Sequence, residues 1–250
     1  MLFRSLEVQR IDPDWFDALN LKLASSVPRA DRVRMARLGM DIVALSQGVP
    51  FFMAGDDLLR SKSADRNSYN SGDWFNRIDW TLKSNNWGSG LPPANGNQSD
   101  WSIIGPALAD ANLKPSAKDI EGTYRHMLEM LVIRKTSKLF RLRSADEIKK
   151  AVSFFNVGPT QTPGLIVERI ANTDKFCVGA SQAVVLVNAT PQLQNFTDAG
   201  FRKQPLLLHP VQAFSQDPVV RTSKFQSSTG TFSIPPRTTA VFIEPCFGPR

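Results

Sequence analysis

Residues 47–57 of the chain read QGVPFFMAGDD, and this segment decides how the first half is expected to fold. Its apolar run, Val49–Ala54, is typical of a short strand buried on both faces of a sheet. Before it, apolar residues recur at helical spacing from Val33 to Val43. This helix is expected to end at Gly48, because glycine suits the left-handed position that follows a helix. A helix that feeds a buried strand predicts a parallel α/β sheet or barrel.

The segment from Gly55 to about Lys114 has almost no periodic apolar pattern and is rich in Asp, Asn, Ser, Gly and Trp. Irregular segments of this length are uncommon in compact domains unless they carry a function. Four of the five tryptophans fall within it, namely Trp74, Trp80, Trp87 and Trp101, which argues against disorder. An ordered loop after a parallel strand is where α/β barrels place their active sites.

The sequence pattern changes after Phe140. Helical spacing from Ile120 to Thr136 gives way to short β-rich runs separated by turn residues, at 151–155, 164–167, 183–187, 205–208 and 239–243. This spacing predicts an antiparallel sandwich of about 100 residues. The boundary between the two halves is expected between residues 140 and 150.

The composition excludes several classes of protein. Hydrophobic residues make up 42% and charged residues 21%, as in ordinary globular proteins. No window reaches the roughly 18 apolar residues of a membrane span, and Glu7 and Arg10 interrupt the N-terminus before any apolar run develops. We therefore expect a soluble protein with no membrane partner, secretory signal or transit peptide. Cys177 and Cys246 are too few for a disulfide scaffold and have no CxxC metal spacing.

The formal net charge of +7 invites comparison with nucleic-acid binders. Lys and Arg are interleaved with Asp and Glu, however, and the sequence shows no zinc-finger spacing, RNA-binding signature or block of like charge. Nucleic acid is therefore not expected as a partner, and a basic nucleic-acid binder remains only a third interpretation. His126 and His209 stand apart from other metal-ligating residues and are expected to be structural.

The residues between Gly55 and Arg77 combine carboxylates, amides, guanidinium groups and aromatic rings. This mixture suits sugars, because hydroxyls form charge-assisted hydrogen bonds and aromatic rings pack against the C–H faces of a pyranose. The alternative is that Asp73 and Arg77 form a surface ion pair while the tryptophans only anchor the loop. Composition leaves both interpretations open.

Four stretches resemble a known family. They are VPFFMAGDDLLRSKS at 49–63, SYNSGDWFNR at 68–77, SNNWG at 84–88 with GLPP at 90–93, and IPPRTTAVF at 234–242. They resemble the eighth barrel strand, the loop after it and the C-terminal end of pullulanase-type starch debranching enzymes, including plant limit dextrinases, in the α-amylase superfamily of glycoside hydrolases. The resemblance runs from about Asp31 to Pro245. It implies a C-terminal segment of a (β/α)8 barrel in residues 1–145 and an antiparallel β-sandwich domain in residues 146–250.

The resemblance implies hydrolysis of α-1,6-glucosidic linkages in pullulan, amylopectin and limit dextrins, and a branched α-glucan as the partner. Retaining hydrolysis needs a carboxylate nucleophile and a carboxylic acid/base about 5–5.5 Å apart. The family carries these on its fourth and fifth barrel strands, which have no counterpart in this sequence, so no catalytic residue is intact and the chain is expected to be inactive alone. Asp12 is a candidate relic of the family's transition-state-stabilising aspartate; the alternative is that residues 1–13 are unrelated sequence.

The resemblance also assigns roles within the loop. The family's aspartate and arginine that hold the sugar match Asp73 and Arg77, and Trp74 and Asn76 belong to the same motif, where they shape the site or lock the loop. Asp56 and Arg60 are expected to order the loop. The family's Gly-Asp-Glu here ends in Asp57, one methylene shorter.

The main alternative function is that of a non-catalytic α-glucan-binding or regulatory protein. No cofactor or metal site is expected; a structural calcium ion is compatible with the superfamily, but the sequence assigns no ligands to it. The resemblance implies a plastid location. The sequence makes no prediction of oligomeric state.

Overall fold

A computed structural model describes residues 27–174 and 176–249 of the chain. Its α-helices are α1 (Arg29–Leu45), α2 (Asp73–Asn76), α3 (Ala94–Asn97), α4 (Trp101–Ala109), α5 (Ala117–Thr136), α6 (Ala145–Ala151) and α7 (Pro210–Ala213). Short 3-10 turns lie between several of them. In the part of the chain that the structure describes, none of the helices has the length and apolar character that crossing a bilayer requires.

The strands follow the last long helix and form two sheets. They are β1 (Val152–Phe155), β2 (Leu165–Ala171), β3 (Phe176–Asn188), β4 (Gln194–Thr197), β5 (Leu207–Leu208), β6 (Lys224–Gln226), β7 (Thr231–Ile234) and β8 (Thr238–Pro249). The larger sheet has the order β1-β2-β3-β8-β5 and the smaller one β4-β7-β6. All these pairings are antiparallel.

Both long predicted helices are confirmed, as α1 and α5, and so are the antiparallel strands predicted after Phe140. The predicted buried strand at Val49–Ala54 is wrong: across residues 27–174 and 176–249, no strand precedes Val152. Val49 is 71% exposed and Phe51 63% exposed. The physical reason is that a strand needs a neighbour to complete its ladder of hydrogen bonds, and no described strand lies beside this segment.

The chain divides into two compact units. The N-terminal unit comprises the described residues 27–43 and 51–127, and the sandwich unit comprises residues 44–50 and 128–249. The domain division at residues 145 and 146 remains a prediction.

In the N-terminal unit, polar pairs join α1 to α5. The His126 Nε2 and Asp41 Oδ1 atoms are 2.6 Å apart, and the Asp41 side chain is only 1% exposed. The Arg37 Nε–H donates to Thr123 Oγ1 at 3.1 Å. His126 therefore has a structural contact, as the sequence predicted.

In the sandwich unit, the two sheets enclose one apolar core. Its buried members are Leu165, Val167, Val184, Leu186, Phe201, Leu206, Phe232, Ile234, Ala240 and Phe242. Phe232 lies at the centre of an aromatic cluster, with ring centroids 5.1 Å from Phe201, 4.5 Å from Phe225 and 5.2 Å from Phe242. Burial of these rings is the main force that holds the sheets together.

Arg134 donates to carbonyl groups in the last turn of α1 and just after it. Its Nη1 donates to the carbonyl oxygens of Ala44 and Ser46 at 2.8 and 2.9 Å, and its Nη2 donates to that of Gly48 at 2.6 Å. The last carbonyls of a helix lack partners within it, so this guanidinium satisfies groups that would otherwise be unpaired. Burial, together with the nearby Arg141 charge, lowers the pKa of Arg134.

His209 caps α7 in its neutral form. Its Nδ1 accepts from the Val211 N–H at 3.2 Å, which leaves the proton on Nε2. The Nε2 atom lies 3.4 Å from Thr136 Oγ1, whose own hydroxyl donates to the Ile133 carbonyl. Burial lowers the pKa of His209 to about 4. His209, like His126, therefore has a structural role in the described residues.

Cys177 on β3 and Cys246 on β8 form a disulfide across adjacent strands, with a Cα–Cα distance of 5.9 Å. The sequence predicted no disulfide scaffold and did not predict this pairing. A single bridge within a hydrophobic sandwich reinforces a fold that the core already specifies.

Truncation of the central phenyl ring is expected to destabilise the sandwich. Phe232→Ala should lower the free energy of unfolding by about 3–5 kcal/mol, because it removes a fully buried ring and leaves a cavity. Phe214, which is 87% exposed, is the matched control, and Phe214→Ala should change it by less than about 0.5 kcal/mol. Urea denaturation followed by far-UV circular dichroism measures both; equal effects would contradict this assignment of the core.

Glu168 on β2 should make the sandwich less stable as the pH rises. It is only 9% exposed, no described residue donates a hydrogen bond to it, and burial raises the pKa of its carboxyl to about 7. Since the folded-state pKa lies above the unfolded one, the penalty is absent at low pH and grows between the two values, being complete above about pH 7.

We expect Glu168→Gln to be more stable than the wild type by about 1–3 kcal/mol at about pH 8, with the difference shrinking towards about pH 5. Urea denaturation at both pH values measures the difference. Glu121→Gln is the control, because the Glu121 side chain is 50% exposed. A pH-independent difference would rule out the ionised carboxylate as its cause.

Candidate functional site

Asp73 and Arg77 lie at the two ends of α2 and are both exposed. Among the residues that the structure describes, neither side chain forms a hydrogen bond or an ion pair with another. The interpretation that they form a surface ion pair with each other is therefore wrong. Their full hydrogen-bonding capacity faces solvent, where a ligand rich in hydroxyl groups can use it.

Several side chains hold the short helix α2 in place. The Asn76 Nδ2 donates to the carbonyl oxygens of Ser68 and Gly72 at 2.8 and 3.0 Å. The Asn86 Nδ2 donates to the Trp74 carbonyl oxygen at 2.9 Å. Asn76 thus donates two hydrogen bonds within the loop, which is compatible with its expected role in locking the loop.

The Trp74 indole lies against the segment that follows Trp87. Its Nε1–H donates to the Ser89 carbonyl oxygen at 2.7 Å, yet the residue is 61% exposed. Ser89 is fixed in turn by Ser63, whose Oγ accepts from the Ser89 N–H at 3.1 Å. The indole nitrogen is therefore held by a hydrogen bond, while most of the Trp74 side chain remains exposed to solvent.

Asp56 and Arg60 form hydrogen bonds at the turn that begins at Gly55, and their expected role in ordering the loop stays a prediction. Asp56 Oδ2 accepts from the Met53 N–H at 2.9 Å, and the Arg60 Nη1 donates to the Asn76 carbonyl oxygen at 3.5 Å. Gly55, at φ 101°, allows Arg60 to fold back over the turn, since a Cβ on it would lie 2.8 Å from the Arg60 Cβ. Burial raises the pKa of Asp57, with a backbone hydrogen bond opposing the shift.

Asp65 and Asn97 connect distant parts of the loop and were missed by the sequence analysis. Asp65 Oδ1 accepts from the Asn67 N–H at 3.1 Å and from Asn97 Nδ2 at 3.0 Å, and its Oδ2 accepts from the Ser71 hydroxyl. Asn97 Oδ1 accepts from the Arg66 N–H at 3.0 Å. Both side chains are buried, and no local sequence signal pairs residues 32 positions apart.

Asn85 supplies a second buried connection. Its Nδ2 donates to the Leu59 carbonyl oxygen at 2.6 Å, and its backbone oxygen accepts from the Ser61 N–H, also at 2.6 Å.

Asp12, the predicted relic of the stabilising aspartate, lies outside the described residues. Within the described ranges, no three His, Cys, Asp or Glu side chains cluster in a way that could hold a metal ion.

Comparison with known proteins identifies relatives of this sequence. Residues 82–245 match the family described as "Alpha-1,6-glucosidases, pullulanase-type, C-terminal". Over 92% of its length the chain is 44% identical to Pullulanase 1, chloroplastic, of Arabidopsis thaliana and 31% identical to a pullulanase of Klebsiella pneumoniae. The matched regions cover 24% and 21% of those two proteins.

Solved structures give the same result. PulA from Klebsiella oxytoca has a TM-score of 0.80 at 29% identity, covering 88% of this chain and 21% of that one. A Klebsiella pneumoniae pullulanase complexed with maltotriose has a TM-score of 0.77 at 32% identity, covering 86% of this chain and 20% of that one. The chain thus spans about a fifth to a quarter of the length of these relatives.

Removal of one charge should loosen the loop. Asp65→Asn replaces a carboxylate, which only accepts hydrogen bonds, with an amide. The new amide NH2 group would then face groups that themselves donate, such as the Asn97 Nδ2 or the Ser71 hydroxyl. Limited proteolysis between residues 60 and 100 should therefore become at least about tenfold faster. The control is Asp110→Asn at an exposed aspartate that accepts from the Asn112 N–H. Equal cleavage rates in the two variants would show that Asp65 does not organise the loop.

Proposed function

The chain belongs to the family of pullulanase-type α-1,6-glucosidases, and we propose that it forms the sugar-holding loop and C-terminal sandwich of a starch debranching enzyme. Such an enzyme hydrolyses α-1,6-glucosidic linkages in pullulan, amylopectin and limit dextrins. The observation that carries this proposal is the pair Asp73 and Arg77, exposed, without partners in the described residues and held on an ordered loop.

The three exposed groups around α2 have complementary chemistry. The Asp73 carboxylate accepts hydrogen bonds from sugar hydroxyls, and the Arg77 guanidinium donates to hydroxyl and ring oxygens. The Trp74 ring offers an apolar face to the C–H groups of a pyranose. Asn76 contributes indirectly, because its amide fixes the helix that carries the other three.

The N-terminal unit corresponds, in this proposal, to the last part of a (β/α)8 barrel. The apolar run Val49–Ala54, which forms no strand in the described structure, would be covered by other barrel segments of the longer enzyme. The exposure of Val49 and Phe51 supports this, since adjacent exposed apolar side chains mark surfaces that another protein segment covers.

In this proposal, glucan binding and cleavage of the glucosidic bond are carried out by different segments of the enzyme. The nucleophile and the acid/base of a retaining glycosidase face each other across the scissile bond, and neither has a counterpart in this chain. The loop would therefore hold the branched glucan while carboxylates of other barrel strands cleave it. A plastid location is part of the proposal, because the Arabidopsis thaliana relative is named chloroplastic.

Loss of either charged group should weaken glucan binding. Asp73→Ala and Arg77→Ala should each raise the dissociation constant for a branched limit dextrin by about tenfold or more, as expected when a charged hydrogen-bonding group is removed. Isothermal titration calorimetry measures these constants.

Asp146→Ala and Arg143→Ala provide matched controls, since both residues are exposed and lie in the sandwich unit. They should bind like the wild type. Binding that survives in the Asp73 and Arg77 variants, or an equal loss in the controls, would contradict the assignment of the site.

A further inference from the structure

Three aromatic side chains on α2 or close to it in the sequence are largely exposed. Tyr69 is 95% exposed, Trp80 is 70% exposed and Trp74 is 61% exposed, whereas Trp87 on the same loop is buried. Large aromatic side chains that a fold leaves in water are typical of binding surfaces.

Tyr69 and Trp80 lie on opposite sides of α2 along the chain. Tyr69 directly follows Ser68, whose carbonyl oxygen accepts from Asn76 at 2.8 Å. Trp80 lies six residues after Trp74, a separation that spans at most about 22 Å. Tyr69 and Trp80 therefore flank, in the sequence, the helix that carries Asp73 and Arg77, and both lie within reach of one extended ligand.

The turn that presents Trp80 is rigid. Asp79 Oδ1 accepts from the Thr81 N–H at 2.9 Å and its hydroxyl at 2.6 Å, and Oδ2 accepts from the Ser84 N–H at 3.0 Å and its hydroxyl at 2.6 Å. These bonds lower the pKa of Asp79, with the Ser84 hydroxyl contributing most. The backbone that carries the Trp80 ring therefore loses little conformational freedom when a ligand binds.

We propose that Tyr69 and Trp80 form an outer sugar-binding surface that packs against a linear α-1,4-glucan segment extending from the site at Asp73 and Arg77. The ligand class follows from the chemistry of the surface. Flat rings cover the C–H faces of successive glucose units, and the Tyr69 hydroxyl and Trp80 indole N–H, which have no partner among the described residues, are free to bond to sugar hydroxyls. The inference rests on the proposed function and assigns it a further site.

Ligands of two lengths test this surface on the full chain. Calorimetric titration of the wild type, Trp80→Ala, Trp80→Phe and Tyr69→Ala with maltotriose and with maltoheptaose gives the dissociation constants. Trp80→Ala and Tyr69→Ala should each weaken maltoheptaose binding by about tenfold and leave maltotriose binding unchanged, because only the longer ligand reaches the outer surface. Trp80→Phe, which keeps a ring, should bind maltoheptaose within about threefold of the wild type.

The control is Phe214→Ala, which removes an equally exposed ring from the sandwich unit and should bind both ligands like the wild type. If the wild type binds neither ligand, the proposed function itself is overturned. If the wild type binds both and Trp80→Ala binds both equally well, only the outer surface is overturned. Sedimentation velocity completes the test: a change of oligomeric state in Trp80→Ala without a change in affinity would identify a protein interface and overturn the proposal.

Discussion

Side-chain carboxylates and amides replace secondary-structure hydrogen bonds through much of the segment between Gly55 and Asp100, and the candidate site depends on this replacement. Backbone groups that leave water need partners, and a segment of short turns cannot supply them from its own ladder. Asp65, Asn85 and Asn97 supply them instead, each buried and each connected to backbone or side-chain groups of another turn. The loop is therefore as dependent on its polar core as the sandwich is on its phenyl rings.

This arrangement separates two kinds of polar residue that look alike in the sequence. The buried Asp and Asn residues have their capacity filled by the loop, whereas Asp73 and Arg77 have theirs unfilled. Because the helix between them is anchored through Asn76 and the Trp74 carbonyl, a ligand would meet groups that are already in position. Binding would then cost less conformational entropy than it would on a mobile loop, which favours affinity without a large contact area.

The sequence predicted those parts of the fold that local patterns determine. Helices α1 and α5 followed from apolar spacing, and the main strands followed from β-rich runs between turn residues. Helix α4 and the short strands β4, β6 and β7 were not predicted, because their segments are too short or too polar for a periodic signal. The strand at Val49–Ala54 was wrong because pairing partners, which no local pattern reveals, decide whether such a run becomes a strand. In the candidate site, the roles of Asp73 and Arg77 come from motif resemblance and stay predictions, whereas the contacts of Asp65 and Asn97 depend on tertiary structure alone.

The hydrogen bonds from Arg134 to the carbonyls at the end of α1 also have a consequence during synthesis, because donor and acceptors are far apart in the sequence. Arg134 lies 86 to 90 residues after its acceptors Gly48, Ser46 and Ala44. At about 5–20 residues per second, a ribosome needs roughly 4–18 seconds to make that length of chain. Throughout this interval the carbonyl groups at the end of α1 lack the Arg134 guanidinium that binds them in the folded chain. The end of α1 therefore gains these partners only after most of α5 has been synthesised.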